Sequence, residues 1–578
     1  MNSVARTCYT STVKFGLFYE HQIPRPWQEG AEQKLLLDAL EQIELADRLG
    51  MHYVWEVEHH FLEEYSHSSA PEVFLAAASQ RTKRIRLGHG IVQLPPGFNH
   101  PARVAERIAT LDLVSGGRVE FGTGESASQA ELGGFGIDRS LKHAQWDEAL
   151  DAITRMFVEE PFAGYQGRFI WMPPRNVVPK PSQKPHPPLW VACSRRESIL
   201  IAARKGIGAL SFSFIEPEEA KTWVDDYYRI VASDECTAAG FAVNPNLAVV
   251  VPFMCHPDEQ TAIERGIDGA HFFGYSLAHY YVFGKHEPGR TNVWEEFNQN
   301  RDNYGFARNI VQAGDAPLGV RLLQEGIGSL RGAVGTPQQI TDLLARYEKA
   351  GVDAVIFVAQ AGRNRHEHIC ESVELFAREV MPRFSDNEEA RERAKRERLA
   401  EACEKALQRR SPARQMTTGY LITSTGEPST PPAATVNGNG HGPAQNMQSK
   451  LFARIVRSRD DRQLDRLMSF RPAQRLIFKG MEKAFHPERA KDFAAEVQYE
   501  LKGSREVVRW TVRVADCQAK AEPRQAVNPM LTFRMTLPTF ARIAAGEINA
   551  VTAMLEQRLE VDGDIKKLAQ FTGLFLDR

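Results

Sequence analysis

The sequence predicts an α/β barrel of parallel strands with long insertions, followed by a flexible linker and a small α+β module. Three observations carry that expectation. Residues 14–384 alternate short β-branched runs with amphipathic helical stretches eight times, and consecutive parallel strands need a crossover helix between them. Composition then changes abruptly, first to a charge-dense run at 385–410 and next to a polar run at 411–448. The chain finally returns to period-two apolar patterning over 449–578, the mark of half-buried antiparallel strands.

Lys14–Tyr19 reads as the first strand and Lys34–Leu49 as the helix after it. Tyr53–Trp55 is the second strand, Ile85–Leu94 the third and Arg118–Gly122 the fourth. Leu189–Ala192, Ala209–Phe214, Leu247–Met254 and Ala354–Val358 complete the eight. Arg103–Leu113, Lys142–Val158, Glu197–Lys205, Pro337–Ala350 and Glu367–Val380 read as helices between or after them. Two stretches break the rhythm, the Pro-rich Phe162–Pro188 and the long His256–Ala333. Insertions of that length are usually lids or interfaces.

Residues 385–410 favour helix, and their charge density reads as a solvated helix. Residues 411–448 are rich in Ser, Thr, Pro, Gly and Asn, bury almost nothing and read as a disordered linker. In the last segment Leu464, Leu467 and Met468 start an apolar helical face. Alternating runs at 493–501, 508–514 and 531–537 read as strands, with helices at Pro538–Ala545 and Ala550–Leu555.

The composition, 43% hydrophobic and 25% charged, is that of a globular protein with a large core. A formal net charge of −2 supplies no global field for nucleic acid or an anionic membrane. The seven cysteines are scattered, odd in number and without metal-ligand spacing, which fits free thiols in a reducing compartment. No stretch approaches the ~18–20 apolar residues of a spanning helix, and Met1–Val13 has no signal-like apolar run. A cytoplasmic protein without stable membrane insertion is expected.

The sequence contains no GxGxxG, Walker loop, GxSxG or HExxH. Its chemistry-bearing residues collect at the predicted C-terminal strand ends, where barrel enzymes keep their sites. Those ends carry Glu58-His59-His60-Phe61, Gln93–Pro96, Thr123-Gly124-Glu125-Ser126 and Cys193-Ser194-Arg195-Arg196. The last group directly precedes a helix, whose free N–H groups and positive dipole end suit a phosphate. Simple N-capping by Ser194 would explain the same residues.

The ordered set of motifs is more specific. Glu58-His59-His60-Phe61 is followed by Ser-Ala-Pro-Glu-Val at 69–73, Arg-Ile-Arg-Leu-Gly at 84–88 and Asn-His-Pro-Ala-Arg at 99–103 with Glu106. Thr-Leu-Asp-Leu-Val-Ser-Gly-Gly-Arg-Val-Glu-Phe-Gly-Thr-Gly at 110–124 comes next, then Gly-Gly-Phe-Gly-Ile-Asp at 133–138. Gly-Thr-Pro-Gln at 335–338 and His-Glu-His at 366–368 close the set. Residues 14–383 thus resemble the bacterial-luciferase-like flavin monooxygenases.

That resemblance implies a TIM-type (β/α)8 barrel that receives reduced FMN from a separate flavin reductase and uses O2 to oxygenate a substrate. Carried over residue by residue, His59 matches the family's catalytic histidine and His60 a packed neighbour. Gly90–Ile91 falls where the family has a non-prolyl cis peptide beneath the flavin, a bond costing ~3–4 kcal/mol. Ser194 matches a phosphate ligand, and Ser198 is the nearest match to a second. The sequence departs from luciferase at Gly124-Glu125, which replaces a Cys-Arg pair and sets a carboxylate where a cation would meet the phosphate. Glu125 is therefore expected to turn away or pair with a base, leaving Arg195, Arg196, Lys142 or His143 to supply positive charge. The same departure keeps two alternatives, a deazaflavin-dependent hydride-transfer oxidoreductase and a non-catalytic lipid carrier with a degenerate barrel.

Leu501-Lys502-Gly503, the Pro538-Thr539-Phe540 helix and the run at 559–568 resemble the sterol carrier protein type 2 fold over residues 450–578. That implies a lipid-binding module, with assembly as its other use. Taken together, the two resemblances imply a two-component monooxygenase acting on a lipid, terpenoid or steroid-like substrate, and a homodimer formed through early barrel helices. No metal is expected.

Overall fold

The computed structural model describes residues 13–212, 215–300, 331–385, 388–416 and most of 456–574. Two compact units divide the chain, Met1–Ala433 and Ala434–Arg578.

In the first unit eight parallel strands close into a barrel. They are β1 (Lys14–Tyr19), β2 (Tyr53–Glu56), β3 (Arg86–His89), β4 (Val119–Thr123), β5 (Leu189–Cys193), β6 (Gly208–Ser211), β7 (Leu247–Cys255) and β8 (Ala354–Val358). Neighbours in sequence pair in parallel, and β8 returns to β1 through Lys14↔Ala354 to Phe18↔Val358. Alternation along each strand sends Phe18, Tyr53, Trp55, Trp190, Leu210, Val250 and Ile356 into the lumen. Phe15, Leu17, Val54, Leu87 and Phe121 face the surrounding helices instead. The lumen is plugged by the indoles of Trp55 and Trp190, packed edge to face at 5.2 Å. Gly88 and Gly208 admit them, because a Cβ on either glycine would fall inside the ring of Trp55 or Trp190 respectively.

The helix Lys142–Val158 and the strand Ala354–Val358 have the bounds their periodicity predicts. The third strand is shorter than expected. It ends at His89, and only an isolated bridge, Gln93↔Gly124, continues the pairing toward Pro95. Ser213 and Phe214 lie outside the described residues.

The long insertion is more regular than its composition suggests. Helix Glu259–Ala278 runs into a π-turn at His279–Phe283, helix Val293–Asn300 follows, and Ala333–Gly335 pairs with the end of β7. Residues 301–330 lie outside the described residues. Gly266, Gly269 and Gly274 obscured the first helix in the sequence. Gly269 is needed for close packing, since a Cβ there would sit 2.6 Å from the Ala361 carbonyl oxygen. The Pro-rich insertion carries a short antiparallel pair, Tyr165–Gln166 with Trp171–Met172.

The charged helix, Glu388–Arg409, is not a solvated one. It lies against the N-terminal ends of the strands through Lys14–Glu392 (3.1 Å), His52–Glu388 (3.2 Å) and Lys395–Asp353 (2.6 Å). Lys395 and Asp353 are almost fully buried, and Lys395 also donates to Asn246 at 2.6 Å. Such burial is tolerated because both charges keep partners. The end of the charged run and the start of the expected linker are also held. Arg410 donates to Asp151 at 3.1 Å, and Arg414 donates to the buried Glu159 at 3.0 Å. Residues 417–448 lie outside the described residues.

The second unit is a five-stranded mixed sheet in the order 518–522, 507–515, 495–502, 531–536, 559–563. Ala495–Lys502 pairs antiparallel with Val507–Ala515 and parallel with Leu531–Thr536. Helices Asp461–Met468, Arg471–Lys483 and Leu537–Ala544 contribute to its core. Phe478 stacks on Trp510 at 4.5 Å and on Phe540 at 5.2 Å, while the buried Trp510 N–H donates to Gln474 at 2.9 Å. The helix expected at Ala550–Leu555 falls almost wholly outside the described residues.

Candidate active site

Each barrel strand delivers its last residues to one mouth. From β1 come Glu20, His21 and Gln22, from β2 Glu58, His59 and His60, from β3 Gly90 and Ile91, and from β4 Gly124, Glu125 and Ser126. Three non-glycine residues here hold left-handed backbone, His21 (φ 52°), Phe61 (φ 64°) and Ser126 (φ 57°). Each costs ~1–3 kcal/mol and persists only where its surroundings over-determine it.

His59 is the centre of the mouth. Its Nδ1 lies 3.0 Å from Glu131 Oε1 and its Nε2 3.8 Å from Glu20 Oε1. All three side chains are buried. Glu131 also accepts the His60 amide at 3.0 Å and the Ser126 hydroxyl at 2.6 Å. Glu20 accepts the Tyr65 hydroxyl at 2.9 Å, and its Oε2 is buried without a hydrogen-bond partner. Burial opposes a charged imidazole, but Glu20 and Glu131 outweigh it and lift His59 to about 9. Burial pushes Glu20 up to about 7 against the pull of His59. Burial would also raise Glu131, yet His59, Ser126 and the His60 amide hold it below the usual carboxylate range.

His60 points elsewhere. It pairs with Glu58 at 3.2 Å and packs edge-on against Phe135 at 4.9 Å. Glu58 is itself fixed to the β3 loop, accepting Gln93 N and Asn99 Nδ2 at 2.8 Å each.

The β3–β4 edge is closely packed at its glycines. A Cβ at Gly122 would collide with the His89 carbonyl, and one at Gly124 with Ile91. Gly90–Ile91 is a trans peptide, contrary to the expectation from resemblance; the cis bonds of the described residues all precede proline. The trans form satisfies the local ladder, with Gly90 N donating to Glu56 O at 2.6 Å and Ile91 O accepting Glu58 N at 3.0 Å. Nothing in these contacts would offset the cost of a cis bond.

Glu125 pairs with bases as expected, Lys142 and His143 at 2.9 Å each, so two of the four cations that could face a phosphate are held by this carboxylate. Burial would raise Glu125, but His143 and Lys142 bring it below its ordinary value, and Glu125 in turn raises His143. Ser194, Arg195 and Arg196 are exposed at the start of helix Arg196–Arg204, with Ser198 half-buried one turn in. Arg195, not Ser194, stands at the N-cap, and no side chain caps the helix. Arg196 is paired with Asp226, whereas the Arg195 guanidinium has no partner among the described residues. A chain of contacts joins the two halves of the mouth: Lys142 to Ser126 O, Ser126 to Glu131, Glu131 to His59.

The insertion is fastened at the same mouth. Ser276 accepts from Gln22 at 2.9 Å, the buried Glu64 accepts Val293 N and Trp294 N, and the Tyr281 hydroxyl stands 3.5 Å from His59 Nδ1. Sequence reasoning missed Glu20, Glu131, Tyr65 and Tyr281. Glu20 carried a usable signal, an acidic residue directly after a strand predicted to end at the mouth; Glu131 and Tyr281 carried none.

A filled parallel barrel with an acid–histidine cluster, a glycine-rich edge and an open helix N-terminus at its C-terminal mouth is an enzyme-type barrel. The model of the luciferase-like monooxygenase family matches residues 13–354, and the chain belongs to that family. The model of the SCP-2 sterol transfer family matches residues 476–576, the C-terminal domain. An uncharacterised protein, y4wF, of Sinorhizobium fredii is 36% identical over 29% of this chain and 48% of its own length. The chain thus spans about half the length of the first curated relatives it matches. The oxygenase component of flavin-dependent trigonelline monooxygenase from Acinetobacter baylyi is 25% identical over 66% of this chain and 98% of its own. Among solved structures, the monooxygenase RslO1 from Streptomyces bottropensis is 25% identical with a TM-score of 0.51, covering 64% of this chain and 100% of that one.

Proposed function

We propose that the chain is the oxygenase of a two-component flavin-dependent monooxygenase, taking reduced FMN from a separate reductase and oxygenating a hydrophobic substrate. The observation that carries this reading is the buried Glu20–His59–Glu131 cluster beside the glycine-rich β3–β4 edge, where Ile91 packs over Gly124. Gly90, Ile91 and Gly124 would lie beneath a planar ring. Ser194, Arg195, Ser198 and the uncapped helix would hold a phosphate tail, with Arg196, Lys142 and His143 at its edge, each already paired with a carboxylate. Reduced flavin, when bound, supplies the electrons that activate O2. The protein's own residues orient the reactants and exclude water, with Tyr281 and the insertion covering the mouth, and His59 delivers a proton. The Acinetobacter baylyi relative, named an oxygenase component, supports a reductase partner.

A second reading, a deazaflavin-dependent hydride transfer, is favoured by one feature: Glu125 occupies Lys142 and His143. Anaerobic titration with reduced FMN, oxidised FMN and a deazaflavin separates the two. Tight binding of reduced FMN is the expected result, and binding of deazaflavin alone would reverse the assignment.

The C-terminal module is assigned to carrying a lipophilic substrate. A chain ending before residue 449 should keep its kinetics on a small surrogate and show a raised KM on a lipophilic one. Exposed Val73, Leu113 and Val114 on helices Pro71–Arg81 and Pro101–Val114 suit homodimerisation, which sedimentation would detect.

A further inference from the structure

We propose that Glu20 is a positioning residue for His59: it faces the Nε2 edge of the ring while Glu131 holds the Nδ1 edge, so that the imidazole is kept as a cation able to donate a proton into the pocket. This rests on the functional reading above and assigns the proton donor's control to two carboxylates from separate elements.

The argument begins with valence. A neutral imidazole has one donor and one acceptor nitrogen and so can meet one carboxylate; only the cation has two donors. His59 is placed between two carboxylates, Glu131 at 3.0 Å from Nδ1 and Glu20 at 3.8 Å from Nε2. A neutral ring would leave two buried anions without a compensating charge, and unpaired buried charge is costly.

The two carboxylates are held differently. Glu131 accepts from His59, the His60 amide and Ser126, so its place is set by local contacts. Glu20 accepts from Tyr65, has the Ser66 hydroxyl close by on its own backbone carbonyl, and keeps a buried oxygen without a hydrogen bond. Its principal compensation is therefore the charge on His59. The other titratable groups around the pair are Glu56 and Glu58 from β2, Tyr65 from the loop after it and Tyr281 from the insertion. His21, next to Glu20 on the same strand end, turns to Glu56 at 2.8 Å, so none of these groups replaces His59 as the cation beside Glu20.

Donation breaks the Nε2–H bond and forms an O–H bond on the acceptor. The neutral ring that remains still donates Nδ1–H to Glu131. Glu20 lies within reach of the vacated nitrogen, and burial raises its own proton affinity into the neutral range, so a proton arriving from solvent can be held beside His59 between turnovers.

The test uses the full-length chain labelled with 15N-histidine, the His59 signal being assigned by its loss in His59→Asn. In the wild type His59 should titrate well above an ordinary histidine. Glu20→Gln should lower its midpoint by about one unit or more, a tenfold change in proton affinity, and Glu20→Asp should restore part of the shift. Tyr65→Phe, which removes the donor to Glu20 and keeps the carboxyl, should lower the midpoint by a smaller amount; it decides the matter if Glu20→Gln does not fold. A His59 midpoint unmoved by these substitutions in a folded chain would overturn the proposal and leave Glu20 a buried structural carboxyl. Failure of the wild type to bind reduced FMN would instead overturn the functional reading, with the titration result standing alone.

Discussion

The two ends of the barrel both bury charge, and they use opposite kinds. At the N-terminal end the buried cation is Lys395, and it meets the buried carboxylate Asp353. At the C-terminal mouth the buried cation is His59, between Glu20 and Glu131. Lysine and arginine keep their charge across the physiological range, whereas histidine changes it there. Lys14 and Lys395, with the half-buried His52, fasten the charged helix to the strand ends. The buried titratable cation sits where the proposed reaction moves a proton. Backbone strain follows the same division, since His21, Phe61 and Ser126 all lie at the mouth.

The largest effect expected from breaking this comparison is catalytic. His59→Asn should keep the fold and lower product formed per flavin oxidised by about 10²–10⁴-fold, the usual worth of a positioned proton donor. Product yield set against cofactor consumption measures it. His60→Asn should cost far less, because His60 turns toward Glu58 and Phe135; a greater loss there would reverse the assignment within the pair.

At the other end, Lys395→Met leaves Asp353 buried without its cation and should lower stability by about 3–5 kcal/mol. Denaturant unfolding reads this directly, and turnover at low temperature should be preserved. Equal loss of turnover and stability would show that the two ends are not separable.

A smaller effect is the pH dependence of stability. His59 binds its proton more tightly in the folded chain, at about 9 against 6.5. Its contribution is therefore fully present below about pH 6.5 and lost as pH rises through about 9. Glu20, raised from 4.5 to about 7, acts in the same direction over a lower range. The difference in melting temperature between wild type and His59→Asn should narrow from pH 6 to pH 9. A gap that widens with pH would contradict a charged His59.

Smallest of all is Glu125→Gln, which releases Lys142 and His143 from their ion pairs. Reduced FMN should bind roughly twofold to fivefold more tightly, an effect of the size expected for partly exposed charges. Weaker binding would mean that the carboxylate organises the phosphate site rather than opposing it.

The same contrast explains what could be read in the sequence. Strands and outer helices announce themselves through local periodicity, which is why Lys142–Val158 and Ala354–Val358 were legible to the residue. The charged helix misled because its few buried positions, Lys395, Leu399 and Ala406, are too sparse to make an apolar stripe. Its attachment depends on Asp353 and Glu392 finding partners far along the chain. The mouth was half legible: His59 stands in a motif, but Glu131 is 72 positions away and Tyr281 222. Such contacts leave no local pattern.

The attachment of Arg410 and Arg414 bears on how the barrel can be produced alone. A chain cut at 384, where strand-and-helix alternation stops, would strip the buried Asp353 of its cation and take Arg410 and Arg414 from Asp151 and Glu159, leaving those two with Arg155 alone. Expression would then yield a swollen, protease-sensitive barrel and invite the conclusion that the catalytic unit needs its C-terminal partner to fold. A chain ending at 416 keeps every one of those pairs, and is the shorter form to clone.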